Sequence, residues 1–554
     1  MNNIRTNWYK KAVVYQIYPR SFYDANNDGL GDIQGIIEKL DYLKELGINC
    51  IWLSPIYDSP QKDNGYDISD YEGIYPPFGT MEDCKKMIDE MHKRGIRLIM
   101  DLVANHTSDQ HKWFLEALKD KNSPYRDYYY IRKGKRNGKK PPNNWKGFFG
   151  ERAWERIGDT DEWYLHLFTK EQPDLNWENP KVREEIKSVL KFWLDLGADG
   201  FRCDVINLIS KKQDFRSRIP LPALTGMDAY INGPRLHEFL HELYVDVLSK
   251  YDCMTVGEAV MATPKVNISL VDPKREELDM IFNFSHTDSD NFFGVKYFYR
   301  KFKLTRFKRR LNKQQVSLAG KGWNSLFIEN HDQRRSVGRF GTTEDDINSS
   351  KSLAAAYFFL QGTPFIYQGQ EFGMRNAHFE SMDEIKDVES FNVNAILSKV
   401  PVFKKRFKQI LFDVSRDNAR TPVLWDDSVY GGFSKVEPWI RVNKSKNEVN
   451  AKHALDDKDS LLYFYKDLIK LKYDYKVIED GTFKMIKIAN PHFFAYEREN
   501  DSEKLVVISS FSKTSRRFKY SENLPNSNIV LSNFKEHEKA FKPFETRVYL
   551  FKKS

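Results

Sequence analysis

Eight short runs of β-branched and aromatic residues, separated by longer amphipathic stretches, organise most of this chain: VVYQIYP (13–19), CIWLSP (50–55), RLIMDLV (97–103), FRCDV (201–205), MTVGEA (254–259), LDMIFNF (278–284), SLFIEN (325–330) and TPFIYQG (363–369). Such alternation predicts repeated strand–helix units around a parallel sheet. Eight units predict an α/β fold of the closed (β/α)8 TIM-barrel type. Between the runs lie helical patterns such as IIEKLDYLKELG (36–47), MEDCKKMIDEMHKRG (81–95) and VREEIKSVLKFWLDLG (182–197). Each closes on a glycine, where a helix C-terminal cap belongs.

A strand buried on both faces should be apolar throughout, yet four of these segments end in polar residues: DLVANH (101–106), GFRCDV (200–205), TVGEA (255–259) and ENHDQ (329–333). Barrel enzymes carry their chemistry at the C-terminal ends of the strands. Asp204, Glu258 and Asp332 should therefore converge there. Three carboxylates round one cavity suit retaining glycoside hydrolysis: one attacks the anomeric carbon, one protonates the leaving oxygen, and the third stabilises positive charge in the transition state. Arg202 shares the strand face of Asp204 and is expected to keep it ionised.

The spacing also divides the chain. Residues 1–104 and 175–477 form the two parts of the barrel, and 105–174 are too long for a βα loop and read as an inserted subdomain over the catalytic rim. After the helical SLLYFYKDLIKLKYD (460–474), period-two segments such as LVVISSF (505–511) and TRVYLF (546–551) mark a C-terminal all-β sandwich domain at 478–554.

A net charge of +9 arises from 87 basic and 78 acidic residues distributed along the chain. The one dense run, RKGKRNGKK (132–140), is broken by Gly and Asn without interleaved aromatics, so it reads as a solvated loop and argues against nucleic-acid or membrane partners. The four cysteines have no CxxC spacing, the N-terminus lacks the apolar core of a secretory signal, and no run is long enough to span a bilayer. A cytoplasmic, monomeric enzyme acting on a small substrate is expected.

Together these segments resemble the signature regions of the α-amylase superfamily of glycoside hydrolases. QPDLN (172–176) is similar to the extra signature of its oligo-1,6-glucosidase branch, and NGYDISDY (64–71), GWNSLF (322–327), YQGQEFGM (367–374) and RDNARTP (416–422) extend the likeness over nearly the whole chain. The resemblance implies that Asp204 is the nucleophile, Glu258 the acid/base and Asp332 the transition-state stabiliser. It also implies that Asp67, His106, His331 and Arg416 hold the hydroxyls of a terminal glucose, and that Tyr66 gives it a stacking face. Val205, directly after the nucleophile, accompanies α-1,6 cleavage in this branch, whereas Thr or Ala accompanies α-1,4 cleavage.

An oligo-1,6-glucosidase acting on isomalto-oligosaccharides is thus expected, with trehalose-6-phosphate hydrolase as the alternative and α-1,4-glucosidase less favoured. KLTRFKRRLN (303–312) lacks the RLDRD-type loop of the branch's sucrose isomerases, and non-catalytic transporter-associated relatives lose catalytic acids that this chain keeps. Three departures fall on the leaving-group side: VGEAVMATP (256–264), Arg334 where Pro is common, and Ser285 where Glu is usual.

Separately, DANNDGLGD (24–32) sets oxygens at alternate positions with Gly at the sharp turn, as in the first part of an EF-hand loop. A divalent cation is expected on Asp24, Asn26, Asp28, Asp32 and the Leu30 carbonyl. The resemblance implies structural calcium.

Overall fold

All eight expected strands form in the computed structural model, which describes residues 4–221, 224–292, 295–397 and 404–553. They are β1 Val14–Ile17, β2 Cys50–Leu53, β3 Arg97–Val103, β4 Gly200–Asp204, β5 Met254–Glu258, β6 Met280–Phe282, β7 Ser325–Leu326 and β8 Thr363–Tyr367. Every neighbouring pair is parallel, in the order β6-β5-β4-β3-β2-β1-β8-β7. The two ends of this order meet where the Ser325 hydroxyl donates to the Ile281 carbonyl, 2.8 Å away.

Strand parity explains both the core and the site. Alternate residues point into the barrel, and the lower interior is filled by Val14, Ile99, Val256, Met280 and Phe365 among others. Two residues further along the same faces, Val14 gives way to Gln16, Ile99 to Asp101 and Val256 to Glu258. The inward column therefore turns from apolar to ionisable at the C-terminal rim. Register places Asp101 beside Arg202, and Arg202 beside Val256.

Within the 105–174 insertion, strands Ile131–Lys133, Trp154–Arg156 and Glu162–Leu165 form an antiparallel sheet. A bridge between His106 and Asp174 closes its base. Its apolar core, including Trp145, Trp154 and Leu167, packs on Val205, Leu208 and Tyr230 of the barrel. The insertion thus covers the residue immediately after Asp204. The basic run at 132–140 is a largely exposed hairpin turn with Lys135 bridged to Lys140.

At the C-terminus, Thr482–Ile486, Phe493–Glu499, Glu503–Ser510, Ile529–Ser532 and Thr546–Lys552 form a five-stranded antiparallel sheet faced by a two-stranded ribbon. Two buried cations fasten it to the barrel through carbonyls. Lys308 donates to Asn490 O (2.6 Å) and Phe493 O (2.7 Å), and Arg498 donates to Phe359 O (2.8 Å) and Gly481 O (2.7 Å).

The helical stretch expected over 36–47 is two helices, Ile33–Glu38 and Leu40–Leu46, because Lys39 leaves helical geometry, with its amine over the rings of Tyr23 and Trp425. All four cysteines are free and buried, and among the described residues no helix is long and apolar enough to cross a membrane.

Candidate active site

One guanidinium organises the floor of the site. Arg202, at the middle of β4, is 2% exposed and donates through Nη1 to Asp204 Oδ1 (2.8 Å) and Asp101 Oδ1 (2.7 Å), and through Nη2 to Glu258. The structure thus brings Asp204 and Glu258 onto one planar cation. Asp101 was not singled out in the sequence, although it begins DLVANH and is a carboxylate inside an apolar strand. It also accepts from Trp52 Nε1 (3.2 Å) and the Tyr66 hydroxyl (3.0 Å).

The sharing changes the expected electrostatics. Burial pushes the Asp204 carboxyl well up, and the neighbouring charges of Glu258, Asp101 and Asp332 add to the rise against the pull of Arg202. Burial raises Asp101 as well. The single positive charge of Arg202, shared among three carboxylates, pulls Asp204 toward the ionised form that a nucleophile needs, against burial and the like charges around it.

Asp332 has the opposite environment. Burial alone would raise it, but His331, Arg416 and Arg420 outweigh this and hold its carboxyl well below the usual range. Oδ1 meets Arg420 Nη2 at 2.9 Å and Arg416 Nη1 at 3.2 Å, and Oδ2 lies 3.0 Å from His331 Nε2. Gln16 Nε2 donates to His331 Nδ1 (2.8 Å), which leaves Nε2 as the donor toward Asp332. Burial lowers the proton affinity of His331, so the ring works neutral.

The wall of the pocket is built round Tyr66. Its ring stacks on His331 with centroids 5.3 Å apart, and its hydroxyl lies 2.9 Å from His331 Nε2. His106 faces the Tyr66 carbonyl through Nε2 (3.1 Å), stands beside Gln172, and is pushed by burial down to about 4.

Asp67 requires a correction. Its oxygens accept from Lys62 N (2.8 Å), Asp63 N (3.0 Å) and Ser59 Oγ (3.1 Å), and the residue is 0% exposed. It fastens its own loop and offers no oxygen to a sugar. Asp63, four residues earlier, takes its place, with Oδ1 3.1 Å from Arg416 Nη2. Strand-end spacing could not separate the two, because both lie on an irregular loop after β2.

Arg416 is anchored by Asp387 (2.6 Å) and approached by Glu389 (3.5 Å). Arg420, Asp387 and Glu389 escaped the sequence reading; only RDNARTP pointed toward Arg420.

Val205 adopts φ 34°, ψ 39°, a left-handed turn that β-branched residues rarely accept. Strand β4 therefore stops at Asp204, and Val205 is swung into the core of the inserted subdomain. Strain of this kind persists only where the surroundings enforce it.

Comparison with known proteins identifies the family. Residues 16–481 match the family model described as alpha amylase, catalytic domain. The chain belongs to the α-amylase family of glycoside hydrolases. It is 49% identical over 98% of its length to an oligo-1,6-glucosidase of Parageobacillus thermoglucosidasius, with 98% of that protein covered. It is 45% identical over 99% of its length to a trehalose-6-phosphate hydrolase of Bacillus subtilis, also 99% covered. The crystal structure of Bacillus licheniformis trehalose-6-phosphate hydrolase superposes with a TM-score of 0.92 at 44% identity, covering 99% of this chain and 100% of that one. This glycoside hydrolase thus resembles proteins of both names from end to end, the first in sequence and the second in sequence and fold.

In the loop at 24–32 the carboxylates turn to the loop's own amides. Asp24 accepts from Asn27 N (2.7 Å) and Gly29 N (2.8 Å), Asp28 accepts from Leu30 N (2.9 Å), and Asp32 accepts from Ala25 N (2.9 Å) and caps the next helix at Gly35 N (2.6 Å). Among the described residues no cluster of three or more His, Cys, Asp or Glu side chains converges as a metal site. The donors are nonetheless hard oxygens, and a carboxylate oxygen that accepts one N–H keeps a lone pair for a cation.

Proposed function

We propose that this glycoside hydrolase is a retaining, exo-acting α-glucosidase that removes the terminal glucose of short α-1,6-linked isomalto-oligosaccharides. The observation that carries the reading is Arg202 spanning Asp204 and Glu258 while Asp332 is kept ionised across the cavity. Asp204 attacks the anomeric carbon and Glu258 delivers its proton to the departing oxygen. Water deprotonated by Glu258 then releases α-glucose. Asp332, held negative by two arginines, opposes the positive charge that develops on the sugar ring. Asp63, His106, His331 and Arg416 fix the hydroxyls, and Tyr66 presents its face.

The roof formed by the inserted subdomain supports a closed pocket and hence attack at a chain end. Val205 and the oligo-1,6-glucosidase relatives support the α-1,6 linkage. Trehalose-6-phosphate hydrolysis is the second reading, favoured by the similarity to enzymes of that name. Glucose release from isomaltose, panose, maltose, sucrose, trehalose and trehalose 6-phosphate decides between them. Turnover of isomaltose with inert trehalose 6-phosphate is expected for the first reading, and reaction of the phosphorylated sugar alone would replace it with the second.

The chain is read as a monomer acting in the cytoplasm, in keeping with four buried free thiols. The loop at 24–32 is read as a calcium site in which Asp24, Asn26, Asp28, Asp32 and the Leu30 carbonyl hold the ion and brace the turn outside the catalytic steps. Chelation should lower the unfolding temperature without changing the products; an unchanged unfolding temperature would count against the ion.

A further inference from the structure

Gln16 is a buried polar residue in the inward column of β1, at the level where that column turns ionisable. Its register partners are Trp52 on β2 and Tyr367 on β8. From there the side-chain amide reaches two further strand ends. Nε2 lies 3.2 Å from Ser54 Oγ, just past β2, and 2.8 Å from His331 Nδ1, in the loop after β7. An amide nitrogen carries two hydrogens and cannot accept. One hydrogen goes to the serine and the other to the imidazole, so Nδ1 is the bare nitrogen of the ring.

The other neighbours of His331 fix its plane but not its proton. Tyr66 and Tyr18 lie parallel to the ring, with centroids 5.3 and 6.1 Å away, and Trp52 meets it edge-on at 5.9 Å. The charges around it act in both directions. Asp332 Oδ2, 3.0 Å from Nε2, favours a second proton on the ring, while burial, Arg202 and Arg420 oppose one. The Tyr66 hydroxyl, 2.9 Å from Nε2, donates to Asp101 Oδ2 (3.0 Å) and so is an acceptor toward the ring. A carboxylate at hydrogen-bond distance ordinarily draws a proton onto an imidazole. The Gln16 N–H stands where that second proton would go, and two hydrogens facing each other across 2.8 Å repel.

We propose that Gln16 is a positioning residue for the sugar pocket: braced on Ser54, its amide keeps His331 in the Nε2–H form with no proton on Nδ1. His331 then gives its hydrogen bond to Asp332 without adding a positive charge where the sugar ring itself becomes positive. An imidazolium there would oppose the oxocarbenium-like transition state that Asp332 stabilises. The place of His331 beside the sugar rests on the glycosidase reading above; the proton arrangement on its ring does not.

The test is nitrogen NMR of the intact protein labelled in its histidine rings, with the His331 signals assigned as those missing from His331→Asn. At neutral pH the wild-type ring should show a bare Nδ1 and a protonated Nε2; a proton on Nδ1 would overturn the inference without any variant. Gln16→Met removes the opposing N–H, and Gln16→Glu puts an acceptor in its place. The pH at which Nδ1 takes up a proton should therefore rise from wild type to Gln16→Met and again to Gln16→Glu. In Gln16→Glu, kcat on p-nitrophenyl α-glucoside should be at least about ten-fold lower while the ring is charged and recover as it deprotonates, a limb absent from the wild type. Gln16→Met carries the test if a buried carboxylate prevents folding. Titrations that stay in place in the variants, or that move without lowering kcat, would overturn the proposal. A wild type inert toward p-nitrophenyl α-glucoside would count against the glycosidase reading, while the titrations still decide the proton arrangement.

Discussion

Replacing Asp101 by asparagine removes one of three negative charges from Arg202 while keeping the side chain's shape. Asp101 Oδ1 and Asp204 Oδ1 lie 2.7 and 2.8 Å from the same Arg202 nitrogen, so the two oxygens are no more than about 5.5 Å apart. Unit charges at that separation repel by about 3 kcal/mol at an effective dielectric of about 20, equivalent to about two pH units. Asp101 raises the proton affinity of Asp204, so its neutralisation must make Asp204 more acidic; Arg202, freed from one partner, pulls in the same direction. The acid limb of kcat/KM should therefore move down by about one to two units. The Trp52 indole N–H loses its acceptor, which costs about 1–3 kcal/mol of stability. The assay is a pH–rate profile on p-nitrophenyl α-glucoside, with folding checked by circular dichroism. An acid limb that stays in place or moves upward in a folded variant would refute the shared-charge account.

Asp204→Asn and Glu258→Gln should each abolish isomaltose hydrolysis in a folded protein, and NMR of the wild type should detect α-glucose as the first product; initial β-glucose would contradict retention. Val205→Thr should raise the maltose-to-isomaltose ratio of kcat/KM by about ten-fold, the scale of one small change in a substrate pocket, and an unchanged ratio would remove Val205 from the specificity argument. Lys308→Met leaves the Lys487, Asn490 and Phe493 carbonyls without their donor and should cost about 3 kcal/mol in urea unfolding with little effect on kcat; a cost near zero would show that the C-terminal sheet docks without it. Burial pushes His106 and His286 down to about 4 and His111 to about 3. On these rings the unfolded chain binds more protons between about pH 6.5 and 4, so each ring by itself makes stability fall as pH drops. Asp67, Asp288 and Asp417, pushed by burial up to about 6, and Glu371, pushed up to about 7, act in the opposite sense. NMR titration of the ring protons measures the histidine part directly: the three rings should stay neutral at about pH 5, and rings that charge near their ordinary value of about 6.5 would argue against neutral buried imidazoles.

The barrel and its three acids were legible in the chain because strand, helix and cap signals are local. Eight apolar runs in the right alternation leave few topologies, and a carboxylate at a strand exit stands out against an apolar background. What lies on loops was not legible in that way. Asp63 and Asp67 are four residues apart on one turn of irregular backbone, and only folding reveals that the first meets Arg416, 353 positions away, while the second ties down its own loop. Arg420 and Asp387 likewise follow β8, where no periodicity marks them. The full electrostatic setting of Asp204 was not legible for the same reason. Strand spacing put Arg202 on its face, but the sharing of that guanidinium with Asp101 and Glu258 depends on lateral register between β3, β4 and β5. Residue order thus fixes which chemistry is present and at which strand ends. The charge state of each group and its freedom to touch a substrate depend on burial and on partners distant in sequence, and those exist only after the barrel has closed.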